Sequence, residues 1–130
     1  MERREINPWP WSVPFGFHQA VEVTGAGRVL YCAGQTAIDR EGNVVGGDMA
    51  EQVTLALDNL EGVLAEAGMT FANVVRVTWY VTSIDEFRAT ADVRAPRLRA
   101  AGMRAASTLV QVAGLAYPEL RVEITATAVA

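Results

Sequence analysis

The sequence predicts an α+β domain: one β-sheet carrying two helices on a single face, in the order β-β-α-β-α-β-β. Three observations predict it. Segments dense in Val, Ile, Tyr and Trp fall near residues 17–32, 73–82 and 108–129. Two stretches with apolar residues at helical spacing lie between them. Each helical stretch opens on a capping residue, Asp48 or Ser83, and closes on a glycine, Gly68 or Gly102.

Residues 1–16 read as an irregular lead-in to a domain spanning 17–130, because Pro8, Pro10 and Pro14 break both helix and strand. Trp9 and Trp11 within it are costly to leave in water and are expected to pack on the domain or on a neighbouring subunit. Phe17 to Val23 and Val29 to Cys32 read as two strands of a hairpin joined at Thr24-Gly25-Ala26-Gly27. Asp39 to Asn43 is a turn, and Gly46-Gly47 is a break. Asp48 to Ala67 is the clearest helix: Asp48 and Glu51 suit a capping box, and Val53, Leu57, Leu60 and Leu64 mark one apolar stripe. Asn73 to Thr82 reads as a long strand. Ser83 and Glu86 suit a second capping box, opening a helix to about Ala101 that Pro96 should kink. Thr108 to Val112 and Arg121 to Val129 close the sheet around a Tyr117-Pro118 turn. Val122, Ile124, Ala126 and Ala128 alternate with Glu123, Thr125 and Thr127, so the last strand has one apolar and one mixed face. Helices on one face leave the other in need of a partner, which points to an oligomer.

The composition excludes several chemistries. The chain has 130 residues, is 51% hydrophobic and carries a net charge of -4, which suits one globular domain and not a nucleic-acid binder. No apolar run reaches the roughly 18 residues of a membrane span. Met1 to Glu5 is charged with no apolar stretch behind it, so a cytoplasmic location is expected. One cysteine, Cys32, and one histidine, His18, make neither a disulfide framework nor an ordinary zinc site. All 11 basic residues are arginine, so no lysine is there to form a Schiff base with a substrate or with pyridoxal phosphate, or to serve a Walker loop. No metal or cofactor is expected. Carboxylates, hydroxyls, arginines and backbone amides are left to do the chemistry.

Tyr31-Cys32-Ala33-Gly34-Gln35, Asp39-x-x-Gly42, and Gln52 with Ala56-Leu57-Asp58-Asn59-Leu60 come in that order. They are followed by Val77-Thr78-Trp79-Tyr80-Val81, Ala106-Ser107-Thr108-Leu109-Val110 and Val122-Glu123-Ile124-x-Ala126. This ordered set resembles the Rid (RidA/YjgF) family from about Phe15 onward. The resemblance implies a chorismate-mutase-like α+β domain, a homotrimer with three intersubunit clefts, and a small-molecule ligand. The best-known members hydrolyse reactive imines and enamines, such as 2-aminoacrylate, to keto acids and ammonia. Carried over by position, it implies a substrate pocket of Phe17, Ala33, Gly34 and Gly114, with Glu123 as the catalytic acid linked to the attacking water. The chain departs from the deaminase pattern in three places. Gly114 stands where an arginine would hold the substrate carboxylate, Phe17 where a tyrosine would stand, and Ala33 where a serine would. Standard 2-iminobutanoate or 2-aminoacrylate deamination is therefore not expected. The sequence supports a cofactor-free hydrolase acting on another C=N compound, or alternatively a non-catalytic trimer that binds a metabolite or a partner. Arg94 and Arg97 read as a solvated helix face, with one of them, or Arg104, as a replacement anchor in the alternative. Glu123 has a competing reading as the partner of Arg121, and His18 one as a packed or surface residue.

Overall fold

The structure, a computed structural model, describes residues 1–130. Its main sheet has four strands: β3 (Val29–Gln35), β4 (Val74–Val81), β5 (Ala106–Gln111) and β6 (Val122–Val129), in the spatial order β3-β6-β4-β5. β6 runs antiparallel to both its neighbours, whereas β4 and β5 are parallel, with Tyr80 opposite Val110. A separate ribbon pairs β1 (Glu2–Ile6) with β2 (Ala20–Thr24). The helices are α1 (Met49–Glu66), α2 (Ile84–Arg88) and α3 (Ala91–Ala100). The α+β class, with helices against one sheet face, is as expected, but four details differ.

First, residues 2–6 are a strand and not an irregular lead-in. Its sequence is too polar to alternate visibly, and cross-strand chemistry holds it instead. Arg4 faces Glu22 in register and donates to both its carboxylate oxygens at 3.1 Å. Arg3 points the other way and donates to the carbonyls of Ala72, Val74 and Arg104, tying the ribbon to the domain. Burial holds its guanidinium pKa below the ordinary arginine value. Before β2, irregular backbone is confined to residues 7–19, where Pro10–Phe15 forms a 3-10 turn.

Second, the expected hairpin does not form: β2 pairs with β1, and β3 pairs with β6. The Gly25–Gly27 link swings the chain off the ribbon, and the amides of Gly27 and Arg28 donate to Ala130. Third, the second helix breaks at Ala89-Thr90 and not at Pro96. The Thr90 hydroxyl bonds back to the Phe87 carbonyl at 2.6 Å, a local bond that competes with helix continuation. Fourth, Ser83 caps the Glu86 amide at 3.2 Å, but the Glu86 carboxylate turns away to Arg121, so only half of that box exists. The first box is complete, with Asp48 accepting from Glu51 N at 2.9 Å and Glu51 accepting from Asp48 N at 3.3 Å.

The core lies between α1 and the sheet. Val53, Leu57, Leu60 and Leu64 meet Val77, Trp79 and Val81 of β4 and Val122, Ile124 and Ala126 of β6. Each fully buried aliphatic side chain contributes about 1.5–3 kcal/mol. Gln52 is the polar exception, only 1% exposed. Its amide donates to the carbonyls of Gly47 at 3.1 Å and Glu119 at 2.8 Å, and its oxygen accepts from Arg121 N at 2.8 Å. It therefore clamps the N-terminus of α1 to the entry of β6. No helix is long and apolar enough to cross a membrane.

Candidate functional site

The strand pleat sorts side chains onto two faces. Val77, Trp79 and Val81 go to the core, so Arg76, Thr78 and Tyr80 look outward. On β6, Val122, Ile124, Ala126 and Ala128 go to the core, so Glu123, Thr125 and Thr127 look outward beside them. Tyr31 of β3 lies on this open face at 80% exposure. No helix covers the face.

Glu123 lies half-buried in this face, opposite Tyr80 in register. Its side chain is folded over Gly34. A Cβ at position 34 would overlap Glu123 Oε1 and lie 2.6 Å from Cδ and 2.8 Å from Cγ. Only glycine at position 34 lets Glu123 lie in this place. The register of β3 against β6 shifts between Cys32 and Gln35, and this bulge carries Ala33 and Gly34 at the end of the strand. Glu123 forms no ion pair within the chain. Arg121, the neighbour that might have neutralised it, bonds the Glu86 carboxylate at 3.1 Å instead.

The structure therefore brings Glu123, Gly34 and the adjacent Ala33 together. Gly114 follows the end of β5 at the same end of the sheet, and a Cβ there would meet nothing within 4 Å. Phe17 is elsewhere. The next residue, His18, donates its amide to the Ala105 carbonyl at 3.0 Å and bridges Ala106, at the start of β5. Four residues of strand, about 13 Å of rise, separate Ala106 from Val110 at the Glu123 end. Phe17 stacks edge-on against Trp11 at 5.9 Å. Of the expected tryptophan packing, this aromatic contact forms. Trp9 and Trp11 are 56% and 57% exposed, and Phe15 on the same loop is 77% exposed.

His18 is packed, as its neighbours suggested. Asn7 Oδ1 accepts from Gln19 N, so Asn7 Nδ2 is the donor to His18 Nδ1 at 2.9 Å, and His18 Nε2 faces Glu5 at 3.5 Å. It ties the irregular segment to β1. Cys32 faces the core, where burial raises its thiol pKa.

The three arginines weighed as replacement anchors are all engaged elsewhere, two on the helix side and one beside β1. Arg94 is half-buried, 4.0 Å over the Phe87 ring, and donates to Thr90 Oγ1; burial lowers its guanidinium pKa. Arg97 pairs with Asp58 at 2.7 Å and Glu61 at 3.2 Å. Arg104 is 3.7 Å from Glu5. Reading Arg94 and Arg97 as solvated charges is corrected for the same reason: an aromatic ring and two carboxylates hold them. Sequence reasoning missed Gln52 as the residue that positions the entry to β6, and Arg76 on the open face. The hydrogen bonds of Gln52 show the first, and the strand register the second.

Comparison with known proteins agrees with this fold. A Rid-family protein of unknown function from Yersinia pestis, YyfB, superposes with a TM-score of 0.85 at 43% identity, covering 100% of each chain. A RutC family protein of Aquifex aeolicus is 35% identical over 126 residues, 95% of this chain and 98% of its own length. The 2-iminobutanoate/2-iminopropanoate deaminase of Capra hircus is 37% identical over 78 residues, 59% of this chain and 55% of its own length. The family model described as Endoribonuclease L-PSP matches residues 14–130, and with that match the chain belongs to this family, the RidA/YjgF or Rid proteins.

Proposed function

We propose that this protein is a cytoplasmic, homotrimeric, cofactor-free hydrolase of small imines or enamines that lack the usual carboxylate. The observation that carries the reading is the Glu123 carboxylate, unpaired on an open sheet face and laid over Gly34. Glu123 takes a proton from water as the oxygen attacks the C=N carbon and returns it to nitrogen, giving a carbinolamine; it then takes the carbinolamine hydroxyl proton and passes it to the amine, so that ammonia leaves as the C=O bond forms. The chain supplies no other acid on the strand faces around it. The imine deaminase activity of the Capra hircus relative supports the reaction class. The word endoribonuclease in the family description fits this chain less well: a net charge of -4 makes a poor surface for a polyanion.

The strand register supports the trimer. Phe17 and Glu123 stand at opposite ends of one chain's sheet, so a cleft holding both is built from two copies. The open face supplies the surface. Light scattering is expected to give about three times the 14.0 kDa of the chain; a monomer at micromolar concentration would refute the assembly.

Gly114 sets the substrate limit. An arginine-carboxylate fork contributes charge-assisted bonds of about 1.5–3 kcal/mol each, which glycine cannot replace. With a pyridoxal-dependent dehydratase generating 2-iminobutanoate, the wild-type protein is expected to add little to the uncatalysed rate. Gly114→Arg is expected to fold normally, since its Cβ enters open space, and to raise that rate. A wild type as fast as an arginine-bearing relative would defeat the assignment. The missing anchor also favours a second reading, a non-catalytic trimer that binds a metabolite or partner protein. Inactivity on uncharged imines together with saturable ligand binding would select it.

A further inference from the structure

Among the residues of the four sheet strands, the open face carries one acid, Glu123, and one base, Arg76. They are not neighbours. Arg76 lies opposite Thr127 and Glu123 opposite Tyr80, four residues and about 13 Å of strand rise apart. Arg76 forms no ion pair. One of its guanidinium donors reaches Thr108 Oγ1 at 3.1 Å, leaving the others free. Around it, Tyr31, Thr78, Thr125 and Thr127 line a depression of about 200 Å³. This is below the roughly 300–1,000 Å³ of pockets that hold larger organic ligands.

We propose that Arg76 and the hydroxyls around it form a binding site for a small oxyanion, a carboxylate or phosphate, separate from the Glu123 end of the face. The donor set is one-sided. The guanidinium offers only donors, and each hydroxyl can donate one hydrogen bond. No carboxylate lines the depression, so a metal cation finds no charged ligand there. A planar or tetrahedral oxyanion matches the guanidinium fork and leaves oxygens for the hydroxyls. The site does not depend on hydrolysis at Glu123. If the face is covered by a second copy, the anion also neutralises an arginine that would otherwise be costly to bury.

The test uses the purified full chain, with inorganic phosphate in one arm and pyruvate in the other, at ionic strength held constant with sodium chloride. Calorimetry and thermal melting are read together. At least one of the two anions is expected to bind saturably in the millimolar range and to raise the melting temperature. Which arm responds identifies the source. Arg76→Gln is expected to weaken binding by at least about tenfold, with Arg76→Lys intermediate. If neither anion binds the wild type, or if Arg76→Gln binds like the wild type, the proposal fails. Should Arg76→Gln not fold, Tyr31→Phe and Thr127→Val carry the test, since both leave the core intact; severalfold weaker binding supports the site, and unchanged binding in both overturns it.

Discussion

Glu123→Gln is expected to lower any C=N hydrolysis by about 10²–10⁴-fold while leaving the fold in place. Glutamine has the size of glutamate and can take up the same position over Gly34, but it cannot accept and return the proton. The side chain is half-buried and holds no partner within the chain, so its exchange breaks no bond the fold needs. A melting temperature within a few degrees of wild type, together with lost turnover, is the expected pair of results. Full turnover would reduce Glu123 to a structural acid. Gly34→Ala offers an independent route to the same end. The added Cβ overlaps the Glu123 side chain from Cγ outward and not the backbone, so the whole side chain must swing away and the carboxylate leaves its place over residue 34. Displacing a reacting group by about 1 Å can cost on the order of 10²-fold. The two variants therefore remove the same function by different means, one chemical and one positional.

Gln52→Ala is expected to give the largest loss of stability among polar substitutions, about 3 kcal/mol or more. Three backbone groups, the carbonyls of Gly47 and Glu119 and the amide of Arg121, would lose their shared partner. Truncation also leaves a cavity against α1. For a chain of this length that is on the order of a 10 °C fall in melting temperature. Gln52→Glu keeps the shape but sets a carboxylate against two carbonyls, and is expected to be no better tolerated. A fall of less than about 3 °C for Gln52→Ala in thermal or urea melts would show that these groups find other partners. Because Arg121 is two residues from Glu123, either change is also expected to loosen the site.

Much of this architecture is legible in the residues themselves. The apolar stripe of α1, its Asp48 cap and the alternation of Val122, Ile124 and Ala126 against Glu123, Thr125 and Thr127 are local signals, and the structure repeats them. What was illegible is non-local. The first strand is held by Arg4 against Glu22 and by Arg3 against three distant carbonyls, and nothing within residues 2–6 announces those partners. The hairpin expected from the Gly25–Gly27 turn was wrong for the same reason: strand pairing is settled by what lies alongside, and here that is β1 and β6. The break at Thr90 turns on one hydroxyl bonding backward, whereas Pro96 gave the louder but misleading sign. For the site, glycine at 34 and glutamate at 123 could be named separately. Their overlap follows only from the bulge that places one over the other.

The strand order has a consequence for how the protein comes into being. β6, which follows the other strands of this sheet in the chain, occupies an interior position, with β3 on one side and β4 on the other. Until it emerges from the ribosome, those two strands have no sheet to share and α1 has only part of its floor. Tyr31 must wait for Thr127, and Gly34 for Glu123. Such distant pairings are slow to nucleate, because the intervening chain must be ordered before the contact gives any return. The nascent chain therefore emerges with unpaired strand edges exposed, the form most open to misassociation. The insertion of this one strand then completes the sheet, the core and the candidate active site together.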